Sequence, residues 1–194
     1  MKTLILILFL AIAMLTGCGS GSRLPVETYD FGIAAAATAP AGQDVFIAEV
    51  RAAEWLGTTD MLYRLEYRDP RILMPYSASR WAGAPAAMLT IRLRQSVGNA
   101  TSARGKLVKC SLALILLEFS QVFASEQESR AVMHIRATLT DTATGERALV
   151  REFRIERPAQ TPNAAGEAAA FADIATLLAE EINAWIRGAG FCKS

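Results

Sequence analysis

Apolar and polar positions along this chain switch period several times, and each switch marks an element. From Val45 to Val50 apolar and β-branched residues suggest a strand. Met61 to Tyr67 repeats the signal, with Met61, Tyr63, Leu65 and Tyr67 on one face and Arg64 and Glu66 on the other. Asp69-Pro70 breaks this run, Ile72 to Tyr76 reads as a short third strand, and the two form a hairpin. Before them, residues 23–33 are an extended lead-in whose Tyr29-Asp30-Phe31 could start an edge strand, and Ala34 to Gly42 is turn-rich. Pro85 then opens a helix to about residue 97, where Leu89, Leu93 and Val97 recur every fourth position and Arg92 and Arg94 point elsewhere. Gly98-Asn99 ends it, and Thr101 to Lys106 reads as a loop.

The second half returns to period two. Ser111 to Phe123 begins apolar on both faces, which predicts a central strand covered on both sides, and later alternates with Phe119 inward and Glu118 outward. Val132 to Asp141 sets Met133, Ile135, Ala137 and Leu139 against His134, Arg136, Thr138 and Thr140. After a turn at Thr142 to Gly145, Glu146 to Ile155 returns, a hairpin with one wet face. A final helix from Ala164 to about Arg187 places Phe171, Ile174, Leu178, Ile182 and Trp185 on one stripe, with Asp173, Glu180 and Asn183 away from it and Gly188 as its stop. Strands followed by a helix, twice over, predict a single α+β domain in the order β-β-β-α-β-β-β-α. Its sheet is largely antiparallel or mixed, with two helices covering one face.

The first seventeen residues follow a different rule. Lys2, an unbroken apolar run from Leu4 to Leu15 and then Leu15-Thr16-Gly17-Cys18 describe a secretory signal peptide. The run falls short of the roughly 20 apolar residues of a permanent span. Its ending resembles the bacterial lipobox, in which the cysteine is acylated and becomes the first mature residue. Cys18 is therefore the expected lipidation site, residues 18–28 an acylated cysteine and flexible tether, and residues 29–194 a periplasmic domain. By the sorting rule for such lipoproteins, Gly19 in place of an aspartate after the cysteine implies the outer membrane.

Charge and chemistry then exclude more than they suggest. Lys2 is the only charged residue of the leader, so a balance of 20 basic against 19 acidic residues becomes 19 against 19, which argues against a nucleic-acid partner. Cys110 and Cys192 would sit in an oxidising compartment. Either they form a disulfide, closing a loop of about 80 residues for around 4 kcal/mol, or they are separate thiols; neither option makes them catalytic. The single histidine, His134, lies on the polar face of a hairpin and reads as a solvated or cross-strand-paired side chain. No Gly-x-Ser-x-Gly elbow, metal-ligand spacing or phosphate-cradling loop is present, so no enzyme, no metal and no cofactor are expected. The pairs Glu126/Glu128 and Glu180/Glu181 read as solvated charges.

One long signature runs from Trp55-Leu56 through Met61-Leu62-Tyr63-Arg64, Tyr76 and Ser79-Arg80-Trp81-Ala82-Gly83-Ala84-Pro85 into the first helix. This resembles the ABC-type transport auxiliary lipoprotein family, in which a lipobox precedes a Tyr-Arg strand, a further Tyr and a Ser-Arg-Trp-Ala-x-Pro-Pro segment. Ala84 stands where the family has its first proline. Leu116 to Phe123 and Trp185 fit the same pattern. The resemblance implies a non-catalytic part of a mammalian-cell-entry type system, in which a periplasmic protein, a permease and an ATPase move phospholipids or other hydrophobic molecules between two membranes. It also implies a place at the outer-membrane end, docking the mammalian-cell-entry periplasmic protein or receiving its cargo. Tyr76, Arg80 and Trp81 are the candidate docking residues, because the Tyr76 to Pro85 loop mixes an Arg, two large aromatics and small residues. Trp81 could instead fill the gap between sheet and helix. Two other readings remain: a structural outer-membrane lipoprotein without a transport partner, and a direct lipid-binding module, which requires a dry apolar cavity. A ring or dimer of identical copies is compatible with each.

Overall fold

The computed structural model describes residues 25–33, 45–97, 108–142, 144–145, 148–190 and 192. The leader, Cys18 and the tether as far as residue 24 lie outside the described residues, as do the turn-rich segment before Val45 and the loop expected from Thr101 to Lys106; Glu27 and Thr28, read as the end of the flexible tether, are described and lie in a strand.

An eight-stranded open sheet is built from β1 (Glu27–Tyr29), β2 (Val45–Ile47), β3 (Arg51–Ala52), β4 (Asp60–Leu65), β5 (Met74–Trp81), β6 (Cys110–Phe123), β7 (Ser129–Asp141) and β8 (Ala148–Pro158). The main path is β1-β5-β4-β6-β7-β8. Three short strands share one edge of β6, all parallel to it: β2 beside Cys110–Leu112, β3 beside Ile115 and Leu116, and β4 beside Gln121–Phe123. A 3-10 turn at Glu54–Leu56 lies between the last two. The other edge of β6 pairs antiparallel with β7, which pairs antiparallel with β8. The sheet is therefore mixed. The predicted hairpin is present as β4–β5, but its second strand runs on to Trp81, so the docking candidates lie in a strand and not in a loop.

Helices α1 (Pro85–Ser96) and α2 (Ala164–Ala189) complete the domain. Pro85 starts α1 because its missing N–H falls where no helical partner exists. The Asn163 side chain accepts a hydrogen bond from the Gly166 N–H and caps α2. Gly188 does not stop α2; Gly190, in the left-handed region at φ 78°, does so two residues later. Arg92, read as pointing away from the Leu89 to Val97 stripe, is buried, and its guanidinium donates to the carbonyls of Phe31 and Gly32, which ties the lead-in to α1. Asn183 is likewise buried, donating to the Ser96 carbonyl 3.2 Å away, and so joins α2 to the end of α1.

Both helices contribute to one core on one face of the sheet. Leu112, Leu114, Leu116, Met133, Ile135, Ala137 and Leu139 supply the sheet side, and Leu89, Leu93, Phe171, Ile174, Leu178 and Ile182 the helix side. The expectation that the start of β6 is covered on both faces is not met. Leu112, Leu114 and Leu116 are buried, whereas Ala113 and Ile115 between them are exposed. A run apolar on both faces thus belongs to a strand with one open face, since both helices pack on the other. Cys110 and Cys192 are joined in a disulfide, which clamps the residues after α2 to the start of β6. The bond closes an 82-residue separation. Replacing both cysteines by serine is expected to lower stability by about 4 kcal/mol. Urea unfolding should then show a lower midpoint and a larger slope, because the unlinked chain exposes more surface when it opens.

Candidate functional site

Of the three predicted docking residues, Trp81 is in the core, Tyr76 packs against it, and Arg80 is half-exposed. Trp81 is 1% exposed, at the centre of an aromatic cluster, with ring centroids 5.8 Å from Phe31, 5.5 Å from Phe119 and 5.9 Å from Phe171. Its architectural reading describes what the ring touches. Tyr76 stacks near Tyr63, centroids 4.8 Å apart, and its hydroxyl donates to Gln121 Oε1 at 2.6 Å. Gln121 in turn donates from Nε2 to Ser129 Oγ at 2.7 Å. Arg80 is the most accessible of the three: Nη1 donates to the carbonyls of Tyr76 and Ser79, and Nε lies 3.3 Å from Asp60 Oδ1.

Close to this polar chain stands Glu167, in the first turn of α2. It is 0% exposed, and neither of its carboxyl oxygens has a hydrogen-bond partner. Burial alone drives its pKa well above the usual carboxylate range. The Tyr76 hydroxyl is also raised, first by burial, then by the charge Glu167 would carry and by Tyr63.

The accessible chemistry lies on the opposite, helix-free face. Period-two alternation puts Arg64 on β4, Glu118 on β6, Arg130, His134 and Arg136 on β7, and Glu152, Arg154 and Glu156 on β8, on the side away from the core. Their registers form a grid of opposite charges. Arg64 Nη2 meets Glu118 Oε2 at 3.0 Å and its Nη1 donates to the Pro70 carbonyl, drawing the β4–β5 turn over the face. Arg130 holds both oxygens of Glu66, at 3.1 and 3.2 Å, and reaches Glu156 at 2.9 Å, which Arg154 also contacts at 3.0 Å. His134 Nε2 lies 3.0 Å from Glu152, whose other oxygen takes Arg136 at 2.7 Å. The cross-strand pairing read for His134 is therefore present. Hydrogen bonding from Arg130 lowers the Glu66 pKa, and hydrogen bonding from Arg136 and then His134 lowers that of Glu152.

A cleft of about 270 Å³ opens in this grid, lined by Arg64, Glu66, Glu118, Arg130, His134 and Arg154 together with Pro70, Leu117, Val122 and Val132. Its charged lining makes it unlike the dry apolar cavity that direct acyl-chain binding demands. Further along the same face, next to Ala113, the apolar Phe46, Ile115 and Val150 are exposed, the last at 63%. Among the described residues no group of three His, Cys, Asp or Glu could hold a metal ion. The outward positions of Arg64, Glu66, Glu118, His134 and Arg136 were visible in the alternation. That they meet across β6 was not, because it depends on the parallel β4–β6 pairing.

Comparison with known proteins places this geometry. The model of a family described as the ABC-type transport auxiliary lipoprotein component matches residues 29–183. The chain belongs to that family. Its members are lipoproteins of the cell envelope, and the auxiliary lipoprotein described here shares their fold with solved structures. A Xanthomonas campestris protein assigned to family model DUF330 is 22% identical, with TM-score 0.62, over 84% of this chain and 86% of that one. A second, uncharacterised protein is 12% identical, with TM-score 0.64, over 84% of this chain and 99% of the other. No curated protein matches the auxiliary lipoprotein.

The buried Glu167 gives a pH dependence of known sign. Its folded pKa is raised, so its protonated form stabilises the fold fully below the unfolded value near 4.5. That contribution is lost as pH rises toward the folded pKa. Glu167→Gln should match wild type in urea unfolding at about pH 4, and exceed it by a margin that widens as pH is raised to 8.

Proposed function

We propose that the auxiliary lipoprotein is a non-catalytic component of a mammalian-cell-entry type ABC transport system that moves phospholipids or other hydrophobic compounds between membranes. It sits on the periplasmic face of the outer membrane, held by acyl chains on Cys18. There it docks the periplasmic mammalian-cell-entry protein on the helix-free face of its sheet.

The observation that carries the docking assignment is the charge grid. Half-exposed pairs such as Arg130–Glu66 and Arg136–Glu152 are screened by solvent and contribute little to folding. An ordered array of this kind therefore does little for the fold. What it does supply is a fixed pattern of donors and acceptors beside exposed Phe46, Ile115 and Val150, the combination of apolar anchor and polar surround that gives a protein interface its affinity and its specificity. Tyr76, Arg80 and Trp81 serve the same interface at one remove by holding β5 and hence β4, with part of the Arg80 guanidinium left in solvent. Family membership supports the transport setting.

Crosslinking and pull-down from membranes with the full-length acylated protein tests both parts. Wild type and an Arg187→Glu control on α2 should recover a mammalian-cell-entry protein, and Arg130→Glu with Arg154→Glu should reduce recovery several-fold at equal abundance and unchanged melting temperature. Equal recovery from all three proteins places the interface elsewhere. If no such partner appears from protein that is folded and in the membrane, the transport role fails and the structural-lipoprotein reading replaces it.

A further inference from the structure

The way the chain enters the sheet fixes which end of the domain faces the bilayer. β1 runs parallel to β5, with Glu27 opposite Ser79 and Tyr29 opposite Trp81, and β5 leads away from the β4–β5 turn. The chain therefore arrives from the side of that turn. Carried back two residues, the register puts Pro25 beside Ser77. Through the β5–β4 and β4–β6 pairings, Ser77 is level with about Phe119 of β6. From Phe119, the turn end of β6 at Phe123 is four residues away and the disulfide end at Cys110 nine. At 3.3 Å per residue these are roughly 13 Å and 30 Å. Cys18 precedes Pro25 by seven residues, which reach at most about 25 Å. A lipid on Cys18 can thus bring the turn end to the bilayer, whereas its reach falls short of the disulfide end.

That near end carries the right side chains. Tyr67 and Ile72, in the β4–β5 turn, and Val26, at the entry point, are exposed. The Arg68 guanidinium lies 5.8 Å from the centre of the Tyr67 ring, and Arg71, almost fully exposed, is fixed by Asp69 at 2.8 Å. Tyrosine beside arginine suits the headgroup layer, where the ring is part apolar and part wet and guanidinium groups meet phosphates. Charge is not the driving term, because Asp69 and the neighbouring β6–β7 turn, with exposed Glu126 and Glu128, offset the two arginines. We infer that the β4–β5 turn lies in the headgroup layer of the phospholipid leaflet holding the acylated Cys18, with Tyr67 and Ile72 as its interfacial anchors and the strands of the sheet standing away from the membrane. This inference rests on the reading of Cys18 as the lipidated residue.

The test uses the full-length acylated protein in vesicles of phosphatidylethanolamine and phosphatidylglycerol. With Cys18 acylated and Cys110 bonded to Cys192, an introduced Ile72→Cys or Ile91→Cys is the single thiol for an environment-sensitive fluorophore. Ile91, exposed on α1, reports on a surface away from the turn. The expected result is blue-shifted emission at position 72, quenched several-fold more strongly by nitroxide-bearing lipids than at position 91, with the difference reduced by Tyr67→Ser. Equal, water-like emission at both positions in protein that floats with the vesicles overturns the inference and leaves the anchor reading standing. Stronger quenching at position 91 overturns it in the opposite sense. Failure to float with the vesicles removes the anchor reading and the inference with it.

Discussion

Phe119 lies flat on Phe171, ring centroids 3.7 Å apart and planes 14° from parallel, with Trp81 edge-on to both. This contact joins three parts of the chain remote in sequence: the middle of β6, the first half of α2 and the end of β5. Phe31 adds the lead-in, 6.2 Å from Phe119 and 5.8 Å from Trp81. Large rings contribute their burial and about 0.5 to 1.5 kcal/mol more per well-placed pair. Everything else on the helix side is arranged around this stack. Thr90 Oγ1 fixes the chain after β2 through the Val50 N–H, and Trp185 closes over Phe153 farther along α2.

Concentrating both helices on one side leaves the other side to solve a different problem. An uncovered sheet face of this size, if apolar, invites association with another sheet. Here the half nearest the β4–β5 turn is occupied by paired arginines and glutamates, and Val122 and Val132 beneath the same cleft are buried. The other half is less protected, and Ile115 and Val150 stay accessible. The polarity of the open face therefore changes along the strands, from charged near the chain entry to apolar toward the disulfide.

Much of this was legible from residue order. Period-two segments located the β4–β5 and β7–β8 hairpins, Pro85 and the Leu89 to Val97 spacing located α1, and the apolar stripe located α2. What the order could not show has specific causes. Val45 to Val50 reads locally as a strand, and β2 is its first half, but no local pattern announces its parallel pairing with β6 or the two-residue β3. Arg92, Asn183 and Glu167 are polar residues in positions that periodicity treats as surface, yet each is buried, two of them satisfied by carbonyls from distant segments. Trp81 reads equally well as an interface residue or a core residue, because both environments favour large aromatics, and only its surroundings decide. The charged face was visible as separate outward positions, whereas its organisation as a grid depends on strand neighbours that sequence does not name.

The three short strands aligned on β6 also govern the order in which the domain can assemble. β6, β7 and β8 are consecutive in the chain and pair with their immediate sequence neighbours. β2, by contrast, pairs with residues 65 positions later, as Val45 does with Cys110. Closing so long a loop carries a greater entropic cost than closing a hairpin. During synthesis the first half of the chain therefore emerges before the strand on which β2, β3 and β4 pair. Until β6 is present, β2 and β3 lack the edge they pair with and are open to mispairing.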